Sequence, residues 1–392
     1  MKGEYFLRVD RYGLPKRGNR IFTGMAIAVF VIIVGFGWLV ASNYKHFGNL
    51  LKVIVLVKTQ YLSPANYNNL VEGAIKGLVQ SLDDPYSAYL DQVTYKQLRD
   101  QIRGSFGGLG ILVGVKEDSL TVARTYKGTP AYRQGILPGD VIQKIDGREA
   151  RGIDLESAVQ LMRGPVGTKI ILTLVRSSSS NPFDVELTRE EIRVPTVEGK
   201  MLKNGVAHLM IAQFTEKTPD ELGETIEKLK KEGMRAVILD LRSNPGGELM
   251  SAVKVASYFV PAGPVVFIEY RGGRSEEHRT EGNDLKMPLV VLVNDGSASA
   301  AEILAGAIKD TGTGVLVGQK TFGKGVVQMI FELDNGAGLK LTTARYLTPK
   351  KNDINKKGIL PDIVVEQTPG NVDVQLQRAI EIMGQKLQDK AS

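Results

Sequence analysis

The spacing of apolar and polar positions changes several times along the chain, and each change marks a different element. Ile21 to Val40 (IFTGMAIAVFVIIVGFGWLV) is a run of twenty residues without a charge. At about 1.5 Å per helical residue it is long enough to cross a hydrocarbon core of about 30 Å. Over 47–102, Leu50, Leu51, Ile54 and Val55, then Leu70, Ala74, Ile75, Leu78 and Val79, recur at helical spacing and predict helices, the second stopped by Asp83-Asp84-Pro85. Residues 103–188 read instead as short, glycine-punctuated strands (FGGLGILVGV, SLTVART). They contain one helix, Asp154 to Arg163, capped by Asp154 or a neighbour, and a closing hairpin of Lys169–Val175 and FDVELTRE with SSSSNP at its tip.

Between 189 and 368 the strands lose their polar alternation. Ala236–Leu241 (AVILDL) and Leu289–Val293 (LVVLV) alternate with helices at Pro219–Gly233, Glu248–Phe259 and Ser299–Lys309. That alternation predicts an α/β core whose mostly parallel sheet is covered on both faces. Residues 369–392 hold a last amphipathic helix (VDVQLQRAIEIMGQKL), a packing element or a homodimer contact.

Charge changes the reading of the N-terminus. The 392 residues carry 50 Lys/Arg and 43 Asp/Glu, a net +7. Residues 1–20 hold six bases and two acids (+4), which leaves 44 against 41 (+3) for the rest. The basic excess therefore belongs to one short tail, and no nucleic-acid partner is implied. Arg8, Arg11, Lys16, Arg17 and Arg20 precede the apolar run and only Lys45 closely follows it. This bias predicts a cytoplasmic tail over 1–20, a transmembrane anchor over 21–40, and the remainder outside the cytoplasmic membrane. A cleaved signal peptide is the weaker reading, because the run exceeds the usual apolar core of about 7–15 residues. The chain has no cysteine, which excludes disulfides, thiolate metal sites and a cysteine nucleophile. Its three histidines leave little for metal or triad chemistry: His46 abuts the apolar run, His208 lies inside a strand and His278 in a charged loop. No metal and no organic cofactor are expected.

Scarce histidine turns the search for a base toward lysine. At the turn Asn294-Asp295-Gly296-Ser297-Ala298 a strand gives way to a helix, so Ser299 or Ser297 can be presented at a helix N-terminus. The N–H of Ala300, with one from the Gly246-Gly247 turn, would face a developing oxyanion. Residue chemistry alone leaves the two serines open, Ser297 being the better helix-capping group. In Thr321-Phe322-Gly323-Lys324-Gly325 one lysine sits among small residues, where burial would favour its neutral form. Gln328 stands four residues on; even spacing in a strand keeps both side chains on one face, so its amide would hold the neutral amine. GQKTFGKG nearly spells a phosphate-binding loop, but it ends in Gly325 where Ser or Thr is needed and leads into a strand.

The glycine-rich strand entry at Gly107-Gly108-Leu109-Gly110-Ile111, followed by AYRQGILPGDVIQKIDG, resembles a PDZ domain over 103–188. The resemblance implies that Gly108, Leu109, Gly110 and Ile111 receive a peptide C-terminus, which then adds as an extra strand. DLRSNPGG (240–247), VNDGSASAAEI (293–303) and GQKTFGKGVVQ (318–328) resemble the C-terminal processing peptidases, or tail-specific proteases, over about residues 50 to 380. These are serine endopeptidases with an embedded PDZ domain and a crotonase-like or Clp-protease-like α/β core. The resemblance implies Ser299 as nucleophile, Lys324 as base and Gln328 as support. One departure follows Thr348, where Pro349-Lys350-Lys351-Asn352-Asp353 replaces the usual glycine-containing turn.

The resulting expectation is an endopeptidase acting outside the membrane on proteins or peptides with apolar C-termini. The competing expectation is a membrane-tethered PDZ scaffold with an inactive core. Arg163, at the end of the PDZ helix near the core, is expected to report groove occupancy to the catalytic residues.

Overall fold

The computed structural model describes Ile27, Phe30, Val34 and residues 44–389 apart from 117–118, 177–178, 284 and 368–371. The expected tail and anchor therefore lie outside the described residues, save for those three positions, which are helical and exposed. Among the described residues no helix is long and apolar enough to cross a membrane. The chain divides into two compact units, one ending at Leu78 and one beginning at Val79. The first contributes the helix Tyr44–Gln60 and most of the helix Tyr67–Gln80.

The helical reading of 47–102 needs correction at its centre. Asp83 takes φ 51°, a turn follows, and Ala88–Leu90 forms a strand that pairs antiparallel with Gly338–Leu347 before the helix Gln92–Arg103. Three residues are too few to show a strand period.

The strands of the PDZ-like region form one six-stranded sheet, with Ile111–Lys116 at one edge and Ser179–Thr188 at the other. Its core joins Leu120, Val122, Ile142, Ile145, Leu172 and Leu174. Asp154 caps the helix Leu155–Met162 by accepting from the Ser157 N–H (2.9 Å). A two-stranded ribbon, Ser105–Gly108 with Glu190–Arg193, carries the chain into this domain and out again.

The α/β core contains a six-stranded sheet in the order Val197–Met201, Val206–Ile211, Ala236–Asp240, Leu289–Val293, Val315–Gly318, Ile363–Val364. Only its first pair is antiparallel. Ala236–Asp240 and Leu289–Val293 are buried at every position, because helices cover both faces. On one face Leu209, Leu239 and Val291 meet Leu222, Ile226, Ala252 and Leu304 of three helices. On the other, Ile238, Val290 and Leu292 meet Ala379, Ile382 and Met383 of the helix Val374–Asp389. The C-terminal helix is thus a packing element of the sheet. In the turn after Thr348, Lys351 takes the positive φ (62°) that glycine would favour and donates its N–H to the Thr348 carbonyl (2.7 Å).

Candidate active site

Parallel strands deliver their C-terminal ends to one edge of a sheet, and the turns that follow are where helix N-termini gather. The turn after Ala236–Asp240 and the turn after Leu289–Val293 are laced together there. The Ala298 N–H donates to the Asn244 carbonyl (2.9 Å), the Ser243 N–H to Asn294 Oδ1 (2.7 Å), and Ser297 Oγ to the Leu241 carbonyl (2.8 Å). The 321–325 loop docks on the same knot through the Phe322 N–H and the Ser297 carbonyl (3.0 Å). Three segments far apart in sequence thus converge.

Ser299 stands at the N-cap of the helix Ala300–Thr311, with φ 53° and ψ −115°. A serine seldom adopts positive φ, and such strain is held only where the surroundings fix it. Ser297 is not the cap: buried, it braces the turn through Leu241 while accepting from the Asn294 N–H (3.0 Å).

The element that sequence reasoning missed is Glu302, which is completely buried. Its Oε2 accepts the N–H groups of Ser299 (2.9 Å) and Lys324 (2.9 Å), and its Oε1 accepts Thr321 Oγ1 (2.6 Å) and the Gly323 N–H (2.7 Å). One carboxylate therefore holds the serine turn and the lysine loop in register. The Tyr346 hydroxyl donates to the Ser299 carbonyl (3.1 Å), and burial, with the nearby charge of Glu302, pushes its pKa well above the usual value.

Lys324 is partly desolvated. Burial lowers its pKa and the positive Lys340 adds to the effect, while the carboxylates of Glu302 and Asp84 pull the other way. Its Nζ lies 5.0 Å from the centre of the Tyr86 ring. Among the described residues no hydrogen bond joins Nζ to Ser299 Oγ. Gln328 does not follow the simple two-residue alternation, because the strand register shifts between Val327 and Gln328. Its Nε2 donates to Thr342 Oγ1 (3.2 Å), and it lines, with Ser299, Gly247 and Tyr346, a cavity of about 300 Å³.

Hydrogen-bond accounting separates the two glycines. The Gly246 N–H is taken by Asn244 Oδ1 (2.8 Å). The Gly247 and Ala300 N–H groups have no acceptor among the described residues. A Cβ at Gly247, where φ is 140°, would fall 1.9 Å from the Phe214 carbonyl oxygen. Just upstream, burial opposes the charge of Asp240, yet hydrogen bonds from His208 (3.1 Å) and Arg242 (2.7 Å) bring its pKa down to about 2. Arg242 also grips Asp373 (2.8 Å), tying the loop to the start of the C-terminal helix.

In the PDZ-like domain, Gly108, Leu109, Gly110 and Ile111 line a groove of about 300 Å³ that also runs along Leu155, Val159 and Met162. The Leu109 and Gly110 N–H groups have no acceptor among the described residues. Arg163 sits at the groove's end with its guanidinium 4.1 Å from the centre of the Phe106 ring, on the ribbon to the core. Its Nε is buried without a partner, and none of its contacts reaches Ser299, Lys324 or Gln328. Among the described residues no cluster of metal-ligating side chains occurs.

Comparison with known proteins bears on each part. Residues 205–365 match peptidase family S41, 121–176 match the PDZ domain, and 40–94 match the activating protease CtpB N-terminal domain. The carboxy-terminal processing protease CtpA of Bacillus subtilis is 41% identical over 328 residues, which cover 83% of this chain and 70% of that protein. The carboxy-terminal-processing protease of Bartonella bacilliformis is 39% identical over 335 residues, 83% of this chain and 76% of that protein. Among solved structures, the photosystem II D1 C-terminal processing protease aligns with 30% identity and a TM-score of 0.49, over 81% of this chain and 86% of that one.

Proposed function

Because this chain belongs to the S41 family of carboxy-terminal processing proteases, serine-type peptidases with a PDZ domain, we propose that Ser299 and Lys324 form its catalytic dyad. The observation that carries the reading is the buried Glu302 carboxylate, which binds the backbone N–H groups of both residues. Neutral Lys324 takes the proton of Ser299 Oγ as the oxygen attacks the scissile carbonyl. The Gly247 and Ala300 N–H groups receive the oxyanion, Gly246 being committed to Asn244. Lys324 then returns its proton to the leaving amine, and water, deprotonated by the same lysine, hydrolyses the acyl-enzyme. Gln328 steadies the neutral amine by exchanging its bond with Thr342.

Substrates enter through their C-termini. The free N–H groups of Leu109 and Gly110 suit a terminal carboxylate, and the flanking apolar groove suits apolar final side chains. The uncharged run 21–40 with its upstream basic residues supports anchoring in the cytoplasmic membrane, with catalysis outside. Protease added outside intact spheroplasts should then digest the catalytic region; protection would contradict that placement. A labelled peptide with an apolar C-terminus distinguishes peptidase from scaffold. The peptidase reading predicts cleavage by the wild-type chain and binding without cleavage by Lys324→Ala. Binding without cleavage by both would favour the scaffold.

A further inference from the structure

The turn Asp84–Ser87 takes part in none of these steps, yet it lies against the proposed base. Its shape is fixed locally: Ser87 Oγ donates to Asp84 Oδ2 (2.5 Å) and the Tyr86 N–H to Asp84 Oδ1 (3.1 Å). It is also pinned to the catalytic side of the molecule, because the Thr342 N–H donates to Ser87 Oγ (3.0 Å) and Gln328 bonds the side chain of that same threonine. So held, Tyr86 places its ring 5.0 Å from Lys324 Nζ. Nζ has no hydrogen bond or ion pair among the described residues. An aromatic face attracts an ammonium group but not a neutral amine.

We propose that Tyr86 is a positioning residue for the base: its ring holds the ammonium form of Lys324 in a resting pose and releases the neutral amine to Ser299. This rests on the assignment of Lys324 as base. The arrangement couples protonation to position, so the lysine approaches the serine only in the form able to accept its proton. The other groups that face Lys324 are Asp84 on the same turn, Glu302 on the serine helix and Lys340 on the strand Gly338–Leu347. Tyr346 of that strand lies beside Glu302 and Tyr86. These charges set the background against which the ring acts.

The sign follows from which form the ring favours. Cation–π attraction stabilises the ammonium, so removing it lowers the apparent pKa of the lysine. The acid limb of kcat/KM, which reports the free enzyme, should move down by about 0.5 to 1 unit. Activity on that limb should then rise about three- to tenfold at fixed pH, because it scales with the neutral fraction.

The test measures kcat/KM against pH for the full chain, using a quenched-fluorescence unstructured peptide with an apolar C-terminus. Tyr86→Phe keeps the ring and should keep the limb in place. Pentafluorophenylalanine at position 86 keeps the shape, reverses the charge of the ring face, and should move the limb down, as should Tyr86→Leu. The fluorinated ring preserves packing, so the test survives if the leucine variant does not fold. A limb unmoved by the fluorinated ring, or a uniform loss of rate across pH, overturns the proposal. Lys324→Ala in parallel separates the two claims: retained activity there defeats the base assignment, whereas an inactive Lys324→Ala with an unmoved limb defeats only the role of Tyr86.

Discussion

Replacing Glu302 by glutamine removes one charge and almost no volume, and its consequences can be worked out from the four donors the carboxylate accepts. An amide has one acceptor oxygen: its NH2 faces either the Ser299 and Lys324 N–H groups, losing two bonds, or the Gly323 N–H and the Thr321 hydroxyl, which can accept, losing one. The side chain is completely buried, so no water can take over. A hydrogen bond to a charged group is worth about 1.5–3 kcal/mol, and losing one or two therefore costs about 1.5–6 kcal/mol. At the lower figure Tm should fall by about 3–6 °C. Either orientation loses a bond that holds the lysine loop to the serine turn, so we expect kcat/KM to drop by at least about a hundredfold, equivalent to about 2.7 kcal/mol. Thermal unfolding by circular dichroism and initial rates on a quenched peptide measure both. Wild-type Tm together with wild-type kcat/KM for Glu302→Gln would refute the view that this carboxylate aligns the site.

Two further outcomes follow from the same geometry. Gly247→Ala would drive a Cβ into the Phe214 carbonyl and displace a proposed oxyanion donor, so kcat should fall about 10²–10³-fold while the groove still binds a C-terminal peptide; near-normal kcat would remove Gly247 from the oxyanion site. Arg163→Ala loses the stack on Phe106 at the ribbon between domains and should lower turnover without lowering groove affinity measured by fluorescence anisotropy; unchanged turnover at saturating substrate would end its proposed reporting role.

Features encoded in contiguous residues were legible. The buried strands, the Asp154 cap and the Gly246-Gly247 turn follow from local pattern, and the scarcity of histidine points to lysine as the base. Features built by distant partners were not. Glu302 is visible within VNDGSASAAEI, but three of its four donors lie 19 to 22 residues away on a loop whose docking no periodicity reveals. Tyr86 follows the helix stop Asp83-Asp84-Pro85 without a signal of its own, and only the pairing of Ala88–Leu90 with Gly338–Leu347 carries it toward Lys324. Even spacing puts Gln328 and Lys324 on one face only in a regular strand, and the register shifts between Val327 and Gln328. The turn position of Ser297 suggests a cap, whereas its bond to Leu241 depends on a partner 56 residues away.

In the proposed mechanism Ser299 carries the acyl group. The most direct measurement is hydrolysis of a quenched apolar-tailed peptide by Ser299→Ala in the full chain, beside wild type and with groove binding checked on the same sample. No cleavage above background is expected, with peptide binding intact. Full turnover by Ser299→Ala would contradict it.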